Sequence, residues 1–218
     1  MHKPLLIIGN KNYSSWSLRA WLMLKHADVD FEEMRIPLQV PGYELKLSYF
    51  SPAGKVPVYR DGELTVWDTL SIAEYVHEAH AELWPKDKAA RAVARSLSAE
   101  MHSGFAAMRR AMPMNIRARG RHVNTSLEVD ADIIRIKNIW RDLRMQYASQ
   151  GSWLFGEYCI ADAMFAPVVL RFMTYGVHEK GEVDEYMKTV LSDPFLQEWI
   201  SESEQELEVI VPYEVGIS

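Results

Sequence analysis

The sequence predicts a chain of two parts, an α/β part followed by an all-helical part. Strand and helix patterns alternate up to residue 79, and only helical patterns follow residue 87. The chain has 218 residues, of which 48% are hydrophobic, so both parts can bury a sizeable core. We expect a first domain over residues 1–81, a linker over 82–87 and an all-helical second domain over 88–218.

The first part shows the order strand, helix, strand, helix, strand, strand, helix. A continuous apolar run from Leu5 to Ile8 is typical of a strand that is buried on both faces. The Asp61-Gly62 pair is a strong turn signal and predicts a hairpin between the third and fourth strands. The expected strands cover 5–8, 31–36, 57–60 and 63–67, and the expected helices cover 15–26, 43–49 and 69–79.

The second part shows helical periodicity alone. One long pattern over 88–111 ends before Pro113, because proline cannot continue a helix from inside. Further helices are expected over 127–149, 160–175 and 194–206. This content predicts a second domain built from packed helices.

Composition and charge argue against several classes of function. The formal net charge is −6, whereas binding of nucleic acid phosphates requires a basic surface. No apolar run approaches the roughly 18 residues of a membrane span, and the first residues lack the apolar run of a secretory signal. The one cysteine, Cys159, allows no intrachain disulfide and favours a reducing compartment. We therefore expect a cytoplasmic protein with neither nucleic acid nor membrane as a partner.

A proline opens the third expected strand, within Gly54-Lys55-Val56-Pro57-Val58. Proline lacks the N–H that a sheet needs, so it belongs at the first residue of a strand or at an edge. If the Val56-Pro57 bond is cis, the backbone N–H and C=O of Val56 are left unpaired. Such a backbone can hydrogen-bond an extended peptide as a neighbouring strand would.

A second motif, Asp68-Thr69, joins the fourth strand to the helix that follows. An acid and a hydroxyl at a helix N-terminus suit a ligand that carries both an amine and a carboxylate. The simpler interpretation is an ordinary helix cap, and both roles are compatible. Together with the proline segment, this motif favours a small zwitterionic peptide as the ligand.

Nucleotide and metal sites have no support in the sequence. The first strand is not followed by G-x-G-x-x-G, and there is no Walker lysine loop. The histidines are scattered, and no set of His, Cys and carboxylate residues has the spacing of zinc ligands. We expect no metal.

The run Ser14-Ser15-Trp16-Ser17-Leu18-Arg19 opens the first helix. Together with Lys55-Val56-Pro57, Asp68-Thr69 and the helical second half, this run resembles the cytosolic glutathione transferases. The serine run is most similar to the zeta-like bacterial classes. The resemblance implies a thioredoxin-like N-terminal domain, an all-α C-terminal domain, glutathione as the co-substrate and a homodimer.

In this serine type of glutathione transferase, a serine hydroxyl is expected to stabilise the glutathione thiolate. The zeta pattern points to Ser14, whereas the spacing to Arg19 in other serine classes points to Ser15, which we narrowly prefer. Ser15 is also well placed as an ordinary helix N-cap.

Lowering the pKa of the glutathione thiol by ~2 units requires about 2.7 kcal/mol of preferential stabilisation of the thiolate. A charge-assisted hydrogen bond (about 1.5–3 kcal/mol) and a helix N-terminus (about 0.3–1 kcal/mol) together supply this.

The resemblance also assigns the rest of the pocket. Val56, after which Pro57 opens the strand, is expected to pair its backbone with the cysteinyl part of glutathione. Asp68 and Thr69 are expected to hold the γ-glutamyl end. Lys55 either reaches the glycyl carboxylate or is merely solvated. The candidates for the electrophile pocket are Tyr13, Trp16, His102, Phe105 and Arg109.

Five arginines cluster within residues 109–121, and His122 follows the last of them. They form either a funnel for anionic substrates or, more simply, a solvated face and loop. The members are Arg109, Arg110, Arg117, Arg119 and Arg121.

A further match to the family lies at Cys159 and Asp162. The family carries Ser or Thr as the N-cap at the position of Cys159, with the acid three residues later. Cysteine is a weak hydrogen-bonding group, so we expect a weaker cap and a buried, unreactive thiol.

The expected activity is conjugation of the glutathione thiolate to small hydrophobic electrophiles, as in detoxification. One alternative is a glutathione-dependent isomerase or peroxidase. The zeta-like serines favour isomerisation of an unsaturated diacid, although Leu18 and Trp21 depart from the zeta pattern. The other alternative is a binding module of the same fold without turnover.

Overall fold

The structure, a computed structural model, describes residues 3–217. Met1 and His2, on which the expectation of no secretory signal partly depends, lie outside the described residues, as does Ser218. Four strands form one mixed sheet in the order β2-β1-β3-β4. β1 pairs with β2 in parallel and with β3 antiparallel, and β3 pairs with β4 antiparallel. The strands are β1 (Leu5–Ile8), β2 (Glu32–Arg35), β3 (Val58–Asp61) and β4 (Leu64–Trp67).

The helices of the first part lie where the sequence predicts them. They are α1 (Ser15–His26), α2 (Tyr43–Ser48) and α3 (Thr69–Ala79). The N-cap of α1 is Ser14, because its Oγ accepts a hydrogen bond from the Ser17 N–H at 3.4 Å. The alternative interpretation of Ser15 as the cap is therefore wrong, and Ser15 is the first residue of the helix.

The second part is helical, as predicted. Its helices are α4 (Lys88–Ser103), α5 (Ala106–Ala111), α6 (Leu127–Tyr147), α7 (Ile160–Tyr175), α8 (Glu182–Leu191) and α9 (Pro194–Glu204). The single helix expected over 88–111 is wrong. The chain breaks between α4 and α5, where Phe105 has a left-handed backbone with a φ of 56°. Helix α8 is not among the helices expected from the sequence.

Helix α7 lies at the centre of the molecule, and nearly all its side chains are buried. It packs against α1 and α4, so it brings the second part up to the start of α1. Leu83 and Trp84, in the expected linker, are buried in the same core as both parts, and the Leu83 carbonyl accepts from the Ile160 N–H at 3.0 Å. The division of the chain at 82–87 stays a prediction. None of the helices within residues 3–217 combines the length and apolar character needed to cross a membrane.

Candidate active site at the start of the first helix

Two cavities meet at the N-terminal end of α1. The serine cavity has a volume of about 350 Å³ and is defined here by Ser14, Ser15 and Arg171. The Asp68 cavity has a volume of about 390 Å³ and is defined by Asp68 and Thr69. Both cavities are also lined by Trp16, Lys55 and Val56. The two cavities therefore adjoin along these three residues.

The two candidate serines differ in what their hydroxyl groups do. Ser14 donates to the Oγ of Ser17 at 2.7 Å, so its hydrogen is engaged within the start of the helix. Ser15 accepts from the Nη2 of Arg171 at 3.4 Å, and no group in residues 3–217 accepts its O–H. Both serines are 8% exposed. Ser15 is thus the serine whose hydroxyl hydrogen is free for a ligand in the cavity.

The backbone at the start of α1 adds a second donor. The Trp16 N–H makes no hydrogen bond within the described part of the chain, as is usual for the first amides of a helix. The first turn of α1 contains no acidic residue that would offset the positive end of the helix dipole. The site therefore offers an anion a hydroxyl, an amide and a favourable field.

The proline segment forms the wall shared by the two cavities. The Val56-Pro57 peptide bond is cis, and β3 begins at the next residue, Val58. Among the residues described, none hydrogen-bonds the N–H or C=O of Val56. The backbone of Lys55 is held by the Ser51 hydroxyl, which accepts from the Lys55 N–H at 2.9 Å and donates to its C=O at 2.7 Å. The Lys55 side chain is exposed at the rim of both cavities.

Asp68 and Thr69 start α3 and also contact the neighbouring elements. Asp68 is the N-cap, and its Oδ1 accepts from the Leu70 N–H at 2.9 Å. The Oδ2 of Asp68 lies 3.3 Å from the Nε2 of His102 on α4. The Thr69 hydroxyl donates to the carbonyl of Trp16 at 3.3 Å. The pair therefore caps a helix and ties the Asp68 cavity to the start of α1.

The residues predicted to form an electrophile pocket do not all lie together. Tyr13, Trp16 and Arg109 line the serine cavity, and His102 lines the Asp68 cavity. Phe105 lies in the hydrophobic core. It is not among the residues within 3–217 that line the serine cavity or the Asp68 cavity.

The hydroxyl of Tyr13 belongs to a network that reaches the end of the chain. It donates to Glu214 at 2.7 Å and accepts from Arg117 at 3.1 Å. Burial and the bond to Glu214 raise the pKa of Tyr13 above its ordinary value. Arg121 pairs with the same carboxylate at 3.1 Å. Arg117 and Arg121 thus hold the C-terminal segment, and the expectation of a purely solvated face and loop is wrong for them.

Three arginines surround Trp16 and Ser15. The guanidinium carbons of Arg19 and Arg109 lie 4.4 and 5.0 Å from the centre of the Trp16 ring. Burial, followed by the charges of the other two arginines, lowers the pKa of Arg19 well below its ordinary value. Burial and the charge of Arg109 lower the pKa of Arg171 to about 10. The three guanidinium groups therefore lie close enough for their charges to disfavour one another.

Sequence reasoning missed several residues that line the serine cavity. Arg171 carries the strongest sequence signal, because it follows a long apolar stretch of α7. An isolated charge in a buried helix requires a partner or a function. The remaining residues belong to no motif that marks them; they include Gln39, Tyr43 and Tyr213.

Residues 13–79 match the family model described as glutathione S-transferase, N-terminal domain. A probable maleylacetoacetate isomerase of Caenorhabditis elegans is 36% identical over 105 residues, which cover 47% of this chain and 48% of the relative. A dichloromethane dehalogenase of Methylorubrum extorquens is 40% identical over 53 residues, which cover 23% of this chain and 18% of the relative. The chain thus matches about half or less of the length of these curated relatives.

Solved structures match over nearly the whole chain. A glutathione transferase homologue from Burkholderia with bound glutathione has a TM-score of 0.73 at 22% identity, covering 94% of this chain and 100% of the other. The glutathione S-transferase isozyme E7 from Drosophila melanogaster has a TM-score of 0.70 at 19% identity, and the match covers 92% of each chain. These likenesses show the fold, a thioredoxin-like N-terminal part followed by a mostly helical part. Residues 13–79 therefore match a glutathione transferase N-terminal domain, and the chain as a whole has the fold of these solved structures.

Proposed function

We propose that this chain is a glutathione transferase whose Ser15 hydroxyl stabilises the thiolate of bound glutathione, which then attacks a small electrophile. The observation that carries the proposal is the Ser15 O–H, which has no acceptor within residues 3–217 and lies in the serine cavity. The neighbouring Trp16 N–H is also free of protein partners within that range. Both donors favour an anion at this point over a neutral group.

Glutathione would lie across both cavities. The unpaired backbone of Val56 suits the cysteinyl part of an extended tripeptide, because it offers one donor and one acceptor. Asp68 and the start of α3 suit the amine and carboxylate of the γ-glutamyl end. Lys55, exposed at the rim, suits the glycyl carboxylate. This placement puts the sulfur at the start of α1.

Ionisation of the thiol is the step that the site assists. A free thiol has a pKa of about 8.5 and is only a few per cent ionised at neutral pH. The serine hydroxyl is too weak an acid and base to remove the proton itself, so the proton passes to solvent. The hydroxyl then donates to the thiolate, and the positive charges of Arg19 and Arg171 add to the field of the helix. The thiolate attacks the electrophile, and the leaving group departs with its electron pair.

A glutathione-dependent isomerase is the second candidate. The 36% identity to a probable maleylacetoacetate isomerase over 105 residues favours it. In such a reaction the thiolate adds to a conjugated double bond, the resulting single bond rotates, and the thiolate is expelled. Glutathione is then regenerated, whereas conjugation consumes it. Measuring free thiol during turnover of an activated cis-alkene therefore separates the two activities.

Calorimetric titration with glutathione, followed by turnover of chlorodinitrobenzene, tests the proposal. We expect binding of glutathione and release of chloride at a rate above the uncatalysed reaction. S-methylglutathione is the matched control, since it fills the site but has no ionisable thiol. Binding without turnover of any of several electrophiles would favour a binding module, and no binding of glutathione would overturn the proposal.

A homodimer and a cytoplasmic location are part of the same proposal. They are supported by the match of residues 13–79 to the family model and by a single cysteine, Cys159. Light scattering coupled to size-exclusion chromatography measures the mass in solution. A mass of one chain at micromolar concentration would contradict the dimer.

A further inference from the structure

We infer that His102 of α4 is a positioning residue for glutathione, because it holds the Asp68 carboxylate that takes the amine of the γ-glutamyl end. This inference rests on the proposed function and deepens it, since it gives a residue of the helical part a role in recognising the tripeptide. It also moves His102 from the candidates for the electrophile pocket to the glutathione side of the site.

The side chain of His102 meets Asp68 where the helical part of the chain faces the α/β part. Its Nε2 lies 3.3 Å from the Asp68 Oδ2. The other ring nitrogen, Nδ1, is buried and has no hydrogen-bond partner in residues 3–217. Of the two neutral tautomers, only the one with its hydrogen on Nε2 presents an N–H to the carboxylate, and an imidazolium presents the same N–H. In both states the positive edge of the ring faces Asp68.

The direction of the Asp68 side chain depends on its contacts. The backbone of Asp68 has a φ of 71°, a region that few residues with a side chain adopt. Its Oδ1 accepts from the Leu70 N–H at 2.9 Å, so the helix cap holds one oxygen and His102 faces the other. The side chain of Asp68 is 44% exposed and lines the Asp68 cavity. Because a carboxylate oxygen has two lone pairs, Oδ2 can face His102 and still accept from an ammonium group.

His102 is itself held in place by its neighbours. Its ring packs edge-on against the Trp16 indole, with the ring centres 5.1 Å apart. Its backbone carbonyl, in the last turn of α4, accepts from the Arg109 Nη1 at 3.2 Å. A pair of exposed charged groups contributes little when both side chains must be ordered. Since the imidazole is already packed, less side-chain entropy is lost when it holds Asp68.

The position of His102 argues against a role with the electrophile. His102 lines the Asp68 cavity and is not among the residues within 3–217 that line the serine cavity. Ser15, which faces the sulfur in the proposed function, lines the serine cavity and, within the same range, not the Asp68 cavity. His102 therefore acts at the γ-glutamyl end and away from the reacting sulfur.

A matched pair of ligands tests the inference. Glutarylcysteinylglycine is glutathione without the amino group, and it keeps the thiol and both carboxylates. His102→Phe loses the N–H that faces Asp68 but keeps an aromatic ring beside Trp16. We expect this variant to raise the Kd for glutathione about fivefold, the equivalent of about 1 kcal/mol, and to leave the Kd for glutarylcysteinylglycine unchanged in calorimetry.

Further variants separate the contact with Asp68 from the packing of the ring. His102→Gln keeps an N–H at a similar reach and should restore most of the affinity for glutathione. In Asp68→Asn, the change His102→Phe should add little further loss, because the carboxylate that it holds is gone. His178→Phe is the matched control, since His178 is exposed, lies 4.0 Å from Asp184 and, within residues 3–217, lines neither cavity.

Turnover gives an independent readout. In His102→Phe, the KM for glutathione should rise while kcat with chlorodinitrobenzene at saturating glutathione stays within about twofold of the wild type, because the reacting atoms are untouched. If His102→Phe fails to fold, His102→Asn supplies the same comparison, since its amide is too short to reach Asp68.

Three results would overturn the inference: an unchanged Kd for glutathione, an equal rise in the Kd of both ligands, or a fall in kcat with no rise in KM. Each leaves the proposed function standing as long as the wild type binds glutathione and turns over chlorodinitrobenzene. Failure of the wild type to bind glutathione would overturn both.

Discussion

The guanidinium of Arg171 on α7 donates from Nη2 to the Oγ of Ser15, the first residue of α1, across 3.4 Å. This contact joins the helical part of the chain to the α/β part at the proposed reaction centre. A hydroxyl that accepts from a cation becomes a better donor through its own O–H, because hydrogen bonds in a chain polarise one another. Arg171 therefore both orients Ser15 and strengthens it as a donor.

The two serines should separate into a structural and a chemical role. We expect Ser14→Ala to lower the free energy of unfolding by about 1 kcal/mol, because it removes the N-cap of α1 and the bond to Ser17. Ser15→Ala should change this free energy less, since Ser15 is not the cap. Urea unfolding followed by circular dichroism measures both. A larger loss in Ser15→Ala would contradict the assignment of the cap.

The buried guanidinium of Arg19 should lower the free energy of unfolding of the protein. Its side chain is fully buried, its Nε donates to the Met164 carbonyl at 2.9 Å, and both Nη atoms lack partners. We expect Arg19→Met to raise the free energy of unfolding by about 1 kcal/mol or more, because an unpaired buried charge is replaced by an apolar chain. The same variant should raise the thiol pKa of bound glutathione. Destabilisation by Arg19→Met would contradict this, because it would mean that the buried guanidinium stabilises the folded protein.

Thr69 should affect glutathione affinity through the start of α1. Its hydroxyl donates to the Trp16 carbonyl, so Thr69→Val removes a bond that positions the backbone beside Ser15. We expect the Kd for glutathione to rise about five- to tenfold, the equivalent of about 1 kcal/mol. Thr69→Ser keeps the hydroxyl and is the matched control. Equal Kd values for the two variants in calorimetry would argue against the role of this bond.

Asp162 should make stability depend on pH in mildly acidic solution. Burial raises its pKa to about 6, above the ordinary value of 3.8, although the N–H groups of Leu154 and Cys159 and the Tyr186 hydroxyl donate to it. The native state therefore holds this proton more tightly than the unfolded chain. The stability that comes from the protonated form is complete below about pH 4 and is lost as the pH rises through about 6.

The measurement is the free energy of unfolding between about pH 4 and 7, compared with that of Asp162→Asn. We expect the difference between the two proteins to change by about 3 kcal/mol in favour of the variant as the pH rises, since each pKa unit is worth about 1.4 kcal/mol. Tyr186→Phe is a second test, because losing its donor should move the transition of Asp162 to higher pH. A difference that is flat across this range would contradict a raised pKa.

Local patterns predicted most of the fold because the signals that set it are local. Helices α1 and α3 begin beside Ser14 and Asp68, whose side chains cap them, and their apolar spacing continues to the predicted ends. The break at Phe105 was missed, because a left-handed backbone at a bulky residue has no local signature. The cap was placed one residue late at Ser15, since neighbouring serines satisfy the same pattern.

The site was predictable only where its residues share a motif. Val56 and Pro57 stand together in sequence, and so do Asp68 and Thr69, so each pair could be recognised. Arg171 is 156 residues from Ser15, and their contact depends on how α7 packs against α1. Such a contact is a property of tertiary packing and leaves only an isolated charge in the sequence.

The central claim is that the Ser15 hydroxyl stabilises the thiolate of bound glutathione. Ultraviolet absorbance of the thiolate, titrated against pH in the glutathione complex, measures the thiol pKa directly. We expect Ser15→Ala to raise this pKa by about one to two units, the equivalent of about 1.5–3 kcal/mol, and Ser14→Ala to leave it nearly unchanged. An unchanged pKa in Ser15→Ala, or a larger rise in Ser14→Ala, would contradict the claim.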